Sequence, residues 1–389
     1  MTAPLWLLTL ITFSGTLAMH IFVPALPEAA RDLGASMASM QVTLSVYILG
    51  LAVGQLAYGP LSDRFGRRPV LMAGLVLYAS AGLAAALVPD VQSLIVARLL
   101  QALGGCAGLV IGRAIVRDTA QPQEAARRLA LMNLMVALGP GAAPLIGGAL
   151  AASLGWRSIF LALALLGVVN LLFSWRLLPE SRDPAPAGRR SSLARNYGRL
   201  LVSPAFVGYA IGGGCATTSM YAFIGASPFI FAHQLHRPAY EVGIYPAIVL
   251  AGVWLGSVAA TRLIPLVPID RLAVWANLVS VAASFAFLAA VLSGHLTVLL
   301  AIAPMFVFGM GAGIASPAAL TQAISVNPEV IGSASGLYGF SQMGVGAICT
   351  ALVGTGQDPA LTAAIILVGA GVIGQAAFWL ALRYRGRPG

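Results

Sequence analysis

Lysine is absent from the 389 residues, and only twelve aspartates and glutamates stand against 22 basic residues, all of them arginine. Charged residues make up 9% of the chain, where a soluble domain of average make-up has roughly a quarter. That shortage excludes an ordinary globular enzyme, which must cover its surface with charge. Cysteine is nearly missing too. Cys106, Cys215 and Cys349 each stand alone in an apolar run with no CxxC pair, so neither a disulfide framework nor a zinc site is supported. His20, His233, His236 and His295 make no HxxxH or HExxH pattern, which argues against a metalloenzyme embedded in a membrane; His233 and His236 read as part of a solvated loop. No GxxxxGKS or GxxxxGKT loop is found, so no nucleotide or other cofactor is implied.

What the chain has in abundance is apolar length, with 59% hydrophobic residues. A membrane crossing needs about 20 predominantly apolar residues. Twelve such runs occur, near residues 5–27, 41–60, 70–88, 91–114, 128–150 and 157–178 in the first half and 204–231, 241–264, 271–292, 296–320, 330–355 and 360–382 in the second. The expected fold is therefore an all-α polytopic membrane protein. The first run begins at Leu5 without a basic leader or a small-residue cleavage signal, so it reads as a retained helix. A polar stretch rich in Pro, Arg and Ser lies between Pro179 and Pro204, which predicts halves at 1–180 and 204–389 joined by a linker at 181–203. Two parallel six-span halves suit a transporter that alternates access to a central site.

The net charge of +10 invites a nucleic-acid reading, but almost no soluble surface exists to carry a basic patch. Alternating the loops puts eighteen arginines on one side and three on the other, leaving Arg98 within a span. By the positive-inside rule both termini and the linker are then cytoplasmic. Trp6, Trp156 and Trp379 near span ends read as interfacial anchors.

The sharpest motif is Gly59-Pro60-Leu61-Ser62-Asp63-Arg64-Phe65-Gly66-Arg67-Arg68, between the second and third spans. Its two glycines allow a tight return, and its charges suit helix termini, acids and headgroups. This segment closely resembles the signature loop of the major facilitator superfamily. Further segments resemble the bicyclomycin and chloramphenicol resistance (Bcr/CflA) branch of drug:proton antiporters: FVPALPEAARDLGAS, ARLLQALGGCAGLVIGRAIVRD, GPGAAPLIGG, YAFIGASPFIF and GSASGLYGFSQMGVGA. The resemblance implies the twelve-helix major facilitator fold in a bacterial inner membrane, and a monomer exporting small lipophilic or amphipathic molecules in exchange for protons. It also implies that Arg67 pairs with Asp118 and that Asp63 lies near Asn327, where Asn327-Pro328-Glu329 reads as an N-cap opening the eleventh span. In the fifth span Gly139, Pro140, Pro144, Gly147 and Gly148 resemble an antiporter motif, although tight helix packing accounts for them equally.

Arg98 lies about seven residues into the fourth span, with Gln101 one turn on and Gly104, Gly108 and Gly112 forming a small-residue seam. A central Arg costs about 2.5 to 3.5 kcal/mol on insertion scales, so it is a functional candidate, the alternative being a side chain that snorkels outward. On the first span Thr9, Thr12, Thr16, His20, Pro24 and Pro27 recur at spacings of three and four, a polar stripe expected to face a cavity. His20 stands where members of the resembled family have an Asp, and all twelve acids fall in loops or at span ends. With an unperturbed pKa of about 6.5, His20 suits a proton carrier; a neutral histidine that shapes the pocket is the alternative. Tyr47, Gln55, Asn133, Tyr221, Phe223, Tyr338 and Gln342 are further cavity candidates, each also able to bridge helices. Rival functions are an exporter of one metabolite or a facilitator without proton coupling, and, from another class, a membrane sensor or enzyme on a transporter scaffold. The last would need a signalling domain or a nucleophile and base, and neither is present in the sequence.

Overall fold

The computed structural model describes residues 4–181, 193–327 and 330–384. Among them there is no strand. The helices in chain order are α1 (Leu5–His20), α2 (Leu26–Asp32), α3 (Met37–Phe65), α4 (Arg67–Leu87), α5 (Val91–Thr119), α6 (Pro122–Leu154), α7 (Arg157–Leu177) and α8 (Leu193–Val202). They continue with α9 (Pro204–Thr217), α10 (Tyr221–Phe229), α11 (Ala239–Val242), α12 (Ile244–Leu263), α13 (Ile269–Leu292), α14 (Val298–Ser325), α15 (Ile331–Val353) and α16 (Pro359–Tyr384). Among the described residues eleven segments are long and apolar enough to cross a membrane, and α6, apolar over Gly139–Leu154, supplies the twelfth. The chain is a multi-pass membrane protein.

Helix starts follow side-chain chemistry. Ser36, Asp90 and Thr297 each accept a hydrogen bond from the backbone N–H three residues on, satisfying a donor that the first turn leaves free. Gly66, at φ 93°, makes the one-residue break between α3 and α4, a conformation that side chains with a Cβ avoid.

The structure departs from the expected spans in physical detail. The helix of the second span, α3, runs through Pro60 to Phe65, so most of the signature segment is helical and Gly66 alone makes the return, not Gly59. Loss of one ladder bond near a helix end is tolerable, and apolarity marks the hydrocarbon zone while the helix extends past it. The first span is interrupted. α1 ends at His20, a 3-10 turn covers Val23–Ala25, and α2 follows. Pro24 lacks the N–H that would continue the ladder to His20, so Pro24 and Pro27 do not continue the threonine stripe on one helix. The seventh span breaks at 218–220 and ends in a π-helical stretch, Ile230–Gln234. Within the stretch read as linker, α8 forms with Asn196 and Leu200 buried one turn apart. Trp156 is buried against Phe22 and Phe160 rather than anchored at an interface.

The chain divides into two compact units, Met1–Arg189 with Ala239–Ile244, and Arg190–Pro238 with Tyr245–Gly389. In the first, α5 packs against α1, α3 and α4. A Cβ on Gly108 would come 2.5 Å from the Ile11 carbonyl oxygen, so close backbone approach is what the α5 glycines provide toward α1. Gly104 instead faces α4 at Tyr78. In the second unit α9 packs against α14, α15 and α16, and α13 against α14.

Candidate functional site

At the junction of α3 and α4 the Arg67 side chain is 3% exposed and holds three partners. Its Nη2 lies 2.7 Å from Asp63 Oδ1, Nε lies 2.9 Å from Asp118 Oδ2, and Nη1 donates to Ser62 Oγ at 2.5 Å. Asp63 is one turn earlier on α3 and Asp118 is at the end of α5, so one guanidinium fork ties three helices. The pairing of Arg67 with Asp118 is thus present. Pro328 and Glu329, expected to open the eleventh span with Asn327, lie outside the described residues.

A residue the sequence pattern did not single out completes this cluster. The Glu180 carboxylate accepts from the backbone N–H of Arg67 at 3.0 Å and of Arg68 at 3.1 Å. These are donors of the first turn of α4, where an anion meets the positive helix end. Its only signal in the sequence was Pro179-Glu180 just past the sixth span. Gly66 makes room: a Cβ there would sit 2.7 Å from Glu180 Oε2. Arg68 donates to the Trp175 carbonyl at 2.7 Å, and Arg64 stacks over the Phe65 ring at 4.8 Å.

The second cluster surrounds the break in the first span. Arg98 is fully buried, so it does not snorkel. Its Nη1 donates to Gln101 Oε1 at 2.7 Å and its Nη2 to the Ala18 carbonyl at 3.0 Å. That carbonyl lies in the last turn of α1, where the ladder stops and acceptors are left over. A cation there also meets the negative end of the helix. The guanidinium carbon stands 4.0 Å from the Tyr47 ring centroid, 5.6 Å from Phe160 and 5.7 Å from Phe22. Aromatic faces and a helix terminus therefore surround the charge, and none of the ion pairs among the described residues involves it. His20, two residues beyond Ala18, is buried. Thr16 is half-buried and donates to the Phe13 carbonyl, while Thr12 is buried and bridges to the Gly108 carbonyl. The stripe is thus mostly taken up in packing, with Thr9, Thr12 and His20 buried and Thr16 half-buried.

The antiporter-type motif lies against the same helix. A Cβ on Gly139 would strike the Phe13 ring, and one on Gly147 would strike the Ile21 carbonyl at the break. Gly148 lies near Pro24, and Pro140 and Pro144 are carried within α6 without ending it. Among the other candidates, Tyr47 donates to the Gly15 carbonyl at 2.8 Å, and Gln55 is half-buried on α3. The side chain of Asn133 lies outside the described residues. In the second unit Gln342 Nε2 donates to Thr217 Oγ1 at 2.8 Å and its carbonyl accepts from Thr218 at 2.6 Å, so α15 braces the break in the seventh span. Tyr221 is half-buried and Tyr338 is buried beside Gly213. Phe223 is not placed as a cavity wall: it is fully buried edge-on to Phe231 and Phe287, where an aromatic side chain gains most from packing.

Twelve apolar crossings, two interrupted spans braced by polar side chains, and a charge-paired junction after the second span describe a polytopic membrane transporter. The family model of the Major Facilitator Superfamily matches residues 8–351, and the chain belongs to that superfamily. It is 31% identical to the MFS-type transporter YdgK of Bacillus subtilis, over 96% of this chain and 94% of that one. It is 30% identical to Multidrug resistance protein D of Escherichia coli, over 95% and 91%, and 25% identical to a bicyclomycin resistance protein homolog of Haemophilus influenzae, over 91% and 89%. Its fold is shared with a D-xylose-proton symporter at a TM-score of 0.77 and 14% identity, covering 98% of this chain and 97% of that one. As a member of this family, the protein is a membrane transporter that handles small-molecule substrates.

Proposed function

We propose that the protein exports small lipophilic or amphipathic compounds across a bacterial inner membrane in exchange for protons, as a monomer with both termini cytoplasmic. The observation that carries this is the likeness to relatives named for multidrug and bicyclomycin resistance along nearly the whole chain. In this reading residues 1–180 and 204–389 are the two halves that alternate access, joined by 181–203. The Asp63, Arg67 and Asp118 cluster latches one state, with Glu180 seating the start of α4. His20 carries the proton, next to the helix end that Arg98 caps.

Everted vesicles given a pH gradient and a panel including chloramphenicol and ethidium test it. Compound uptake should depend on the gradient, and compound addition should release protons with His20 intact and much less with His20→Gln. Unchanged proton release in the variant removes His20 from the role. A second reading, a facilitator or exporter of one metabolite without proton coupling, is favoured by the placement of all twelve acids outside the span centres. Uptake independent of the gradient would select it.

A further inference from the structure

Apart from Arg98, three helices each send one polar side chain to the same turn of α1. The Tyr78 hydroxyl on α4 donates to the Ser14 carbonyl at 3.0 Å, and the Asn170 amide on α7 donates to the Ser14 hydroxyl at 2.6 Å. That hydroxyl in turn donates to the Leu10 carbonyl at 2.8 Å. The Tyr47 hydroxyl on α3 takes the next carbonyl, Gly15. Tyr78 and Asn170 are both fully buried. The backbones also meet here: a Cβ on Gly15 would lie 2.8 Å from the Gly105 carbonyl oxygen, so α1 can come no closer to α5.

The azimuths of these groups are informative. At about 3.6 residues per turn, Ser14, Gly15 and Ala18 occupy an arc of roughly 100°, while the stripe of Thr9, Thr12, Thr16 and His20 centres roughly 160° away. Ser14, Gly15 and Ala18 are gripped on one side of α1, and Thr16 and His20 lie on the other, with Thr12 between them bonded to the Gly108 carbonyl of α5. Close packing at Gly15 blocks approach toward α5, and rotation about the helix axis is the movement that these side-chain bonds oppose. Any such rotation strands buried donors on α3, α4 and α7 in an apolar interior, where an unmade hydrogen bond is costly.

We propose that Tyr78 and Asn170 are positioning residues: acting through Ser14, they set the rotation of α1 about its own axis and so the direction in which Thr16 and His20 are presented. Its consequence for coupling rests on the role of His20 proposed above, but the geometry is testable without it. Thr16→Cys provides the reporter, because the three natural cysteines are buried. Its rate of maleimide labelling in native membranes should change by about threefold to tenfold when Tyr78→Phe or Asn170→Ala removes one grip, and further in the double variant. The same variants with Thr16 retained should stay unlabelled. Labelling of the natural cysteines there would mark general loosening and overturn the proposal, as would an unchanged Thr16→Cys rate in both variants.

The functional arm compares pH profiles of ethidium-driven proton release in everted vesicles. Tyr78→Phe and Asn170→Ala should shift the profile, and His20→Gln should flatten it. A profile flattened by His20→Gln but unmoved by the other two would overturn the positioning role alone. A profile indifferent to His20→Gln would overturn the role of His20, while the labelling rates still decide the positioning by Tyr78 and Asn170.

Discussion

Arg67 offers the most quantitative test of the junction between α3 and α4. Its guanidinium is 3% exposed, while Asp118 is 16% and Asp63 48% exposed. Breaking a buried ion pair by removing one partner costs about 3 to 5 kcal/mol, because the other charge is left uncompensated. Exposed pairs contribute about 0 to 1 kcal/mol. The Asp118 arm should therefore dominate, with the Ser62 bond adding about 1 kcal/mol. Arg67→Ala is expected to destabilise the protein by about 3 to 4 kcal/mol. Arg67→Lys keeps the charge but cannot fork to three acceptors, and should cost about 1.5 to 2 kcal/mol. The assay is reversible unfolding of the purified protein in mixed micelles by added dodecyl sulfate, read by circular dichroism. Double-variant cycles should give a coupling of about 2 kcal/mol for Arg67 with Asp118 and below about 1 kcal/mol for Arg67 with Asp63. Equal couplings, or a lysine variant as stable as the parent, would refute the assignment of strength by burial.

Three further outcomes are expected. Gly147→Ala forces a methyl group into the Ile21 carbonyl, so α6 must shift from the break in the first span; a loss near the upper end of the 1 to 3 kcal/mol typical of overpacking should appear in the same unfolding assay, whereas Gly141→Ala, which meets open space, should be close to neutral. Glu180→Ala removes the acceptor of two first-turn donors, so hydrogen exchange at the Arg67 and Arg68 amides should speed up while exchange in α16 is unchanged. Asp90, outside the spans, caps α5 by accepting from the Ser93 backbone N–H and hydroxyl, which holds its carboxyl below the usual carboxylate value. A depressed folded-state pKa gives stability that is present above the unfolded value of about 3.9 and lost as pH falls through the folded value. The difference in melting temperature between the parent and Asp90→Ala should therefore be steady from pH 7 to 5 and shrink below pH 4.

Much of the fold was legible because a bilayer leaves few choices. Apolar runs of about 20 residues must be helices whose backbone groups are satisfied internally, so the twelve crossings could be located from composition and length. The pairing of Arg67 with Asp118 was expected only through the resemblance of the 59–68 segment to the superfamily's signature loop. The helix breaks were not legible: Pro24 was read as part of a stripe on one continuous span, and nothing in the apolar pattern marked the interruption after Thr217.

The tertiary structure alone decided where the polar groups point. Arg98 was conspicuous as a charge in a span, yet its destination is a backbone carbonyl of another helix, and backbone acceptors leave no trace in side-chain patterns. Phe223 has the composition of a pocket residue and packs in an aromatic core. Glu180, Tyr78 and Asn170 were unmarked because their partners are backbone groups or a serine far away in sequence. Hydropathy is a property of each segment and so can be read along one dimension. Hydrogen-bond partnership inside the bundle depends on how close and at what rotation helices pack, which only their joint arrangement determines.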